Sequence, residues 1–148
     1  MFSQTTEYAL RAAVWLAQNE GRPQTTQEIA EATQVPAAYL SKCLQSLGRA
    51  GVVHGARGAG GGFALRRPAD AITVLDVVNA VDPIRRIKAC PLELSAHRVR
   101  LCPLHKKLDD AIGSIESSFR TTTLTDVLGT NPRHRPLCDF VEVAAAAR

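Results

Sequence analysis

Two groups of side chains in this 148-residue chain have the types and spacing to do chemistry. The first is Cys90 and Cys102, with His97 between them and His105 just beyond. Thiolate sulfur with imidazole nitrogen is the donor set of zinc and iron–sulfur sites, and paired thiols are equally the material of a redox switch. Residues 84 to 107 carry seven basic side chains (Arg85, Arg86, Lys88, Arg98, Arg100, Lys106, Lys107) against Glu93 alone. Such a field favours anionic sulfur, and with it metal ligation or redox reactivity. The second group is Ser41, Lys42, Gln45 and Arg49, followed by Arg57 inside Gly55-Ala56-Arg57-Gly58-Ala59-Gly60-Gly61-Gly62, a run with five glycines in eight residues. Cations and amides on one stretch, with an arginine on a loop almost free of side chains, suit phosphate and base-edge contact. The glycine run is not a phosphate-binding loop of a nucleotide enzyme, because no Gly-Lys-Ser/Thr follows it and no Gly-x-Gly-x-x-Gly can be written through it. An enzyme built on Cys102 as nucleophile and His105 as base lacks an orienting group and an oxyanion turn in the pattern, so no catalysis is expected.

The elements that must position these groups are legible from periodicity. Ser3 caps a helix over Gln4 to Gln18, in which Tyr8, Ala12, Trp15 and Leu16 recur at helical spacing before Asn19-Glu20-Gly21 ends it. Thr25 and Glu28 form a Thr-x-x-Glu capping box for a short second helix that stops near Thr33-Gln34. Pro36 suits the first turn of a third helix and Gly51 its stop. Within it Leu40, Cys43, Leu44 and Leu47 follow the i, i+3, i+4, i+7 pattern, so Ala38, Ser41, Lys42, Gln45 and Arg49 face outward. Two short helices joined by a four-residue link have the form of a helix-turn-helix. Val52-Val53-His54 and Phe63-Ala64-Leu65 read as strands of a hairpin with a flexible, basic tip, a wing whose arginine can approach a narrow minor groove. Thr73 and Asp76 cap a helix from Val74 to Val81, and a loop over about 84 to 103 follows. Leu104, Leu108, Ala111, Ile112, Ile115 and Phe119 then make an apolar helical stripe, with Lys106, Asp109, Asp110 and Glu116 off it. That stripe needs a partner, and a twofold dimer supplies its own. Leu124 to Leu128 is a short helix, and the tail from Asn131 reads as a frayed end.

These residues resemble the Rrf-two family of winged-helix bacterial regulators, whose members include iron–sulfur and nitric-oxide sensors. The likeness is carried by Thr6-Glu7-Tyr8-Ala9-Leu10-Arg11, by Tyr39-Leu40 with Leu44 and Leu47, and by Arg57-Gly58-Ala59-Gly60-Gly61-Gly62-Phe63. Val77-Val78-Asn79-Ala80-Val81 and Thr123-Leu124-Thr125-Asp126-Val127-Leu128 extend it over about residues 1 to 128. The resemblance implies a loop with three cysteines, each pair separated by five residues, and in some members a histidine two residues beyond the third. Cys90 and Cys102 stand at the outer places and His105 at the histidine place, but the middle place is Ala96. A 2Fe-2S cluster needs four protein ligands. The resemblance implies a mixed set of Cys90, Cys102, His105 and Glu7 of the partner subunit, and His97 is the alternative fourth ligand.

The fold expected is therefore mainly α with a small β-hairpin: a winged helix-turn-helix domain over 1–82, a cysteine-bearing sensor loop over 83–103, a long dimerisation helix with a short helix after it over 104–130, and a tail over 131–148. The function expected is a sequence-specific, homodimeric regulator on double-stranded, palindromic operator DNA. Its contacts would come from Ala38, Tyr39, Ser41, Lys42, Gln45, Arg49, Arg57, Gly58 and Gly60, with Ser41 and Gln45 reading base edges. A 2Fe-2S cluster would do the sensing. A metal-free thiol switch, a Cys-His zinc site and an interaction module without DNA binding are the alternatives. Net charge is +4, compatible with a phosphate-bearing partner without establishing one. No run of 18 apolar residues and no secretory leader pattern are present, so the expected location is cytoplasmic, with no membrane association. In that reducing setting Cys43 reads as a core filler and Cys138 as a spare thiol, rather than halves of a disulfide scaffold.

Overall fold

Short polar residues start the first two helices of the head of the molecule, each satisfying backbone N–H groups that a helix start leaves free. In the computed structural model, which describes residues 2–90, 100–129 and 136–137, Ser3 accepts from Thr6 N–H and opens α1 (Gln4–Gln18). Thr25 and Glu28 close the capping box of α2 (Thr26–Thr33), with Thr25 N donating to Glu28 Oε2 at 2.7 Å and Glu28 N donating to Thr25 Oγ1 at 3.2 Å. Gln34 then takes a left-handed φ of 56° and turns the chain. Val35 is buried as the anchor of that turn. Pro36 caps α3 (Ala37–Arg49) from just outside it, one place earlier than the sequence suggested, with an extended ψ of 128°. Gly51 reverses the chain after α3 at φ 74°, a conformation that costs glycine nothing.

Burial follows the apolar periodicity. Leu16 of α1, Ile29 of α2, and Leu40, Leu44 and Leu47 of α3 are fully buried, and α1 packs against both other helices. Cys43 is part of this core. Burial pushes its thiol pKa up, which keeps it protonated, and its Sγ faces Thr5 O at 3.8 Å. It is a small hydrophobe here, as its place on the stripe predicted.

The hairpin is displaced from its expected position toward the glycine run. Strands β1 (Val53–Ala56) and β2 (Gly62–Leu65) pair antiparallel, from Val53 opposite Leu65 to Ala56 opposite Gly62. Val52 lies outside the ladder, while Gly55, Ala56 and Gly62, assigned to the loop by composition, lie inside it. Small residues are poor strand formers by propensity, but pairing across the hairpin overrides that. A second seam fixes the hairpin to the head: Gln24 N donates to Phe63 O at 2.9 Å and Phe63 N donates to Gln24 O at 2.7 Å. The wing is thus hydrogen-bonded to the residue just before the cap of α2.

Thr73 with Asp76, and Thr123 with Asp126, close two further capping boxes, at the starts of α4 (Val74–Val81) and α6 (Leu124–Leu128). Val74 N donates to Thr122 O and Leu124 N donates to Ile72 O, both at 2.9 Å, so the end of the long helix α5 (Pro103–Thr121) is stitched to the start of α4. No residue of α5 is buried, and Leu104 and Leu108 are 65% and 48% exposed. The architecture is mainly helical with one two-stranded hairpin, as the sequence predicted. No helix among the described residues is long and apolar enough to cross a membrane. One part of the tail departs from a frayed end: Gln18 Nε2 donates to Pro136 O at 2.5 Å, and Leu137 packs on the core. Cys138 lies outside the described residues.

Candidate nucleic-acid interface and sensor site

Leu40, Cys43, Leu44 and Leu47 pin one side of α3 to the core, which leaves Ala38, Tyr39, Ser41, Lys42, Gln45 and Arg49 exposed on the remainder. Tyr39 is 56% exposed and leans edge-on against Tyr8, with ring centroids 6.3 Å apart. The Lys42 ammonium stands 6.0 Å from the Tyr39 ring, so α1 and α3 share a small aromatic and cationic ridge. Ser41 Oγ donates to Ala37 O at 3.0 Å, which leaves its lone pairs for a ligand, and Arg49 Nη2 donates to Ser46 Oγ at 3.2 Å. Arg57 follows β1 directly and is exposed. The tip it begins has a defined turn, with Gly61 N donating to Gly58 O at 2.9 Å, and Gly58 and Gly60 at φ 96° and 77°. Glycine is needed there for its left-handed backbone as well as for its missing side chain, so looseness alone does not account for the run.

The residues predicted to form a sensor come together in part. Cys102 is the N-cap of α5, and its Sγ lies 3.1 Å from His105 Nδ1, one turn along the helix. Cys90 is buried at 6% exposure, and both cysteines are free thiols. Among the described residues no group of three or more Cys, His, Asp or Glu side chains is placed to hold a metal ion. Glu7 receives Arg11 Nε on Oε1 at 3.0 Å, an exposed i,i+4 pair of small worth that a stronger partner could displace. Ala96 and His97 lie outside the described residues.

The positive field around the cysteines is weaker than the count over 84 to 107 suggests. Arg86 is neutralised by α5: its Nε and Nη2 donate to Asp109 Oδ1 and Oδ2, both at 2.7 Å, and its Nη1 lies 3.5 Å from Glu116 Oε2. Lys106 pairs with Asp110. The acids sit just past the counted window, on the helix. Asp109 and Glu116, expected merely off the apolar stripe, are therefore pairing residues. The hydrogen bonds from Arg86 hold the Asp109 pKa down at about 2, and the same contact raises that of Arg86, so both stay charged at any working pH. Sequence reasoning missed this contact. The one available signal was Gly113, a glycine inside a helix that needs a packing reason. It lies directly beneath the guanidinium, where a Cβ would come within 2.9 Å of Arg86 Nη1.

Comparison with known proteins places this arrangement among regulators. Residues 2–130 match the Rrf2 family, described as an iron-dependent transcriptional regulator. A protein of Aquifex aeolicus (strain VF5) assigned as an HTH-type transcriptional regulator is 31% identical over 137 residues, covering 90% of this chain and 95% of that one. Among solved structures, CymR (YrzC), the global cysteine regulator of B. subtilis, is similar with a TM-score of 0.70 at 26% identity, over 84% of this chain and 92% of that one. IscR of T. potens is similar with a TM-score of 0.70 at 27% identity, over 86% of this chain and 85% of that one.

Proposed function

The chain belongs to the Rrf2 family of transcriptional regulators, not to an enzyme family, and from that premise we propose that it is a homodimer on a palindromic operator, switched at the Cys90–Cys102 loop. Residues 1–82 act as the DNA-binding unit, 83–103 as the sensor and 104–130 as the dimerisation unit. The observation that supports this best is the mounting of two DNA-facing features on one core: the exposed polar face of α3, and the Arg57 turn held through the Gln24–Phe63 seam. In a twofold dimer, each α3 enters a major groove, with Gln45 and Ser41 at base edges and Tyr39, Lys42 and Arg49 along the backbone. Ala38 is small enough for close approach. Arg57 reaches the adjacent minor groove, and Gly58 and Gly60 let the tip follow it without steric conflict.

An operator selected from a random duplex pool gives the test. Arg57→Ala is expected to lower affinity for it about tenfold, in line with the loss of one well-placed arginine contact of ~1–3 kcal/mol, and to flatten the salt dependence. An affinity within a factor of two of wild type rejects the wing contact.

For the sensor, the family includes cluster-bearing members, and Cys90, Cys102 and His105 with Glu7 of the partner subunit are the residues that would hold a 2Fe-2S cluster, with His97 as alternative. When bound, such a cluster supplies a one-electron couple whose ligands shift when it is lost. The Cys102–His105 pair, at a helix start that favours an anionic group, supports this reading. A metal-free thiol switch is the second reading. It is favoured by the grouping of only two donors among the described residues, by Ala96 in the middle place, and by likeness to a cysteine regulator. Protein purified without oxygen separates the two: iron–sulfur absorption in the visible, bleached in Cys90→Ala, supports the cluster. A colourless, metal-free wild type moves the sensing to the thiols.

A further inference from the structure

We infer that the Arg86–Asp109 pair is the coupling between the cysteine loop and the dimerisation helix, with Arg86 acting as a positioning residue. The inference rests on the sensor reading above. Arg86 lies four residues before Cys90 on an irregular stretch, and Asp109 lies four residues after His105 on α5. The Arg86–Asp109 contact therefore ties the stretch before Cys90 to the helix that follows Cys102, with a sensing residue four positions from each half of it.

That contact is built for rigidity. The guanidinium meets the Asp109 carboxylate through two parallel bonds of 2.7 Å, and Ile87 N adds a third to Asp109 Oδ1 at 2.9 Å. Asp109 is 14% exposed, so little solvent competes for it. A fork-to-fork pair fixes orientation as well as distance. Glu116, itself receiving Arg120 Nη2 at 2.6 Å, stands on the other side of the guanidinium, and Gly113 provides the flat floor beneath it. Among the described residues, the one other hydrogen bond from 83–90 to the body of the molecule runs from Ile84 N to Asn79 Oδ1 at 3.1 Å. A change in the separation of Cys90 and Cys102, from altered ligation or disulfide formation, has only Lys88 and Ala89 between Cys90 and the anchored Ile87 N. It loads the pair and turns α5, on which the spacing of the two recognition helices depends. Because both groups remain charged, the pair itself does not open by titration.

The test compares operator affinity of the whole protein as purified without oxygen with that of the same protein after treatment with the thiol oxidant diamide. In wild type the ratio of the two affinities is expected in the five- to 150-fold range of ordinary site-to-site coupling. Arg86→Gln removes the fork, and Gly113→Ala displaces it while keeping every charge. Both are expected to bring the ratio to within twofold of one while the tighter state keeps its affinity within threefold, a pattern that simple destabilisation does not produce. Arg86→Lys, which keeps the charge without the fork, should fall between. A wild-type ratio above five that persists in both variants overturns the coupling and leaves the sensor reading standing. A wild-type ratio of one removes the sensor reading and the coupling with it.

Discussion

Gly62→Ala is expected to detach the wing. An added Cβ would come 2.5 Å from the carbonyl carbon of Gln24 and 2.9 Å from Thr25 N, and closer still to Gln24 O. All three are backbone atoms, so no side chain can swing aside. The seam between Gln24 and Phe63 must open, and two hydrogen bonds of 2.9 and 2.7 Å are lost or bent. Gly62 also holds a φ of 154°, outside the range that side chains favour. The combined cost is about 3 kcal/mol, at the upper end of what one substitution ordinarily does. Two other glycines calibrate it. Gly51→Ala meets open space and carries only the strain of φ 74°, about 1 kcal/mol. Gly55→Ala meets only an ordinary contact at 3.8 Å and should be nearly neutral. Urea unfolding of the three variants checks the order, and operator affinity should fall tenfold or more for Gly62→Ala alone. If Gly62→Ala is no less stable than Gly51→Ala, the seam does not hold the wing.

Leu108→Glu is expected to break the proposed dimer. Leu104 and Leu108 are 65% and 48% exposed on a helix with no buried residue, and large apolar side chains in a row on a free helix face mark a surface that another chain covers. Burying a leucine is worth about 2 kcal/mol, and a twofold axis doubles the loss because each protomer contributes the same change. The new carboxylates also lose hydration on association. Dissociation should strengthen in proportion, and operator affinity should drop about a hundredfold because each half-site then binds alone. Sedimentation equilibrium gives the first quantity and duplex titration the second. A variant that remains dimeric at micromolar concentration rejects the α5 stripe as the interface.

Much of this was open to sequence reasoning because it is local. Three caps, at Ser3, Thr25 and Thr73, involve residues three apart and bring their own partners, and the Thr123 box that the structure adds has the same local form. The inward stripe of α3 is set by helical period, which needs no knowledge of what it packs against. The composition of 55–62 marked a turn, but not where the strands ended. That boundary depends on pairing with β2 and on the seam to Gln24, 39 residues from Phe63, and neither has a local signature.

The chemistry divides in the same way. Cys102 and His105 are one helical turn apart, so their meeting at 3.1 Å follows from spacing once the helix is granted. Arg86 and Asp109 are 23 residues apart, and a charge count over a window assigned the arginine to the wrong task. What the sequence determined by itself is the helices with their polar caps, the inward face of α3, the presence of the hairpin and the family they belong to, since each is written within a few residues of chain. What only the tertiary structure decided is which charges cancel and which backbone segments stitch the wing and α5 to the head. An ion pair or an inter-element hydrogen bond has no period, and it exists only after the core has brought distant residues to within 3 Å.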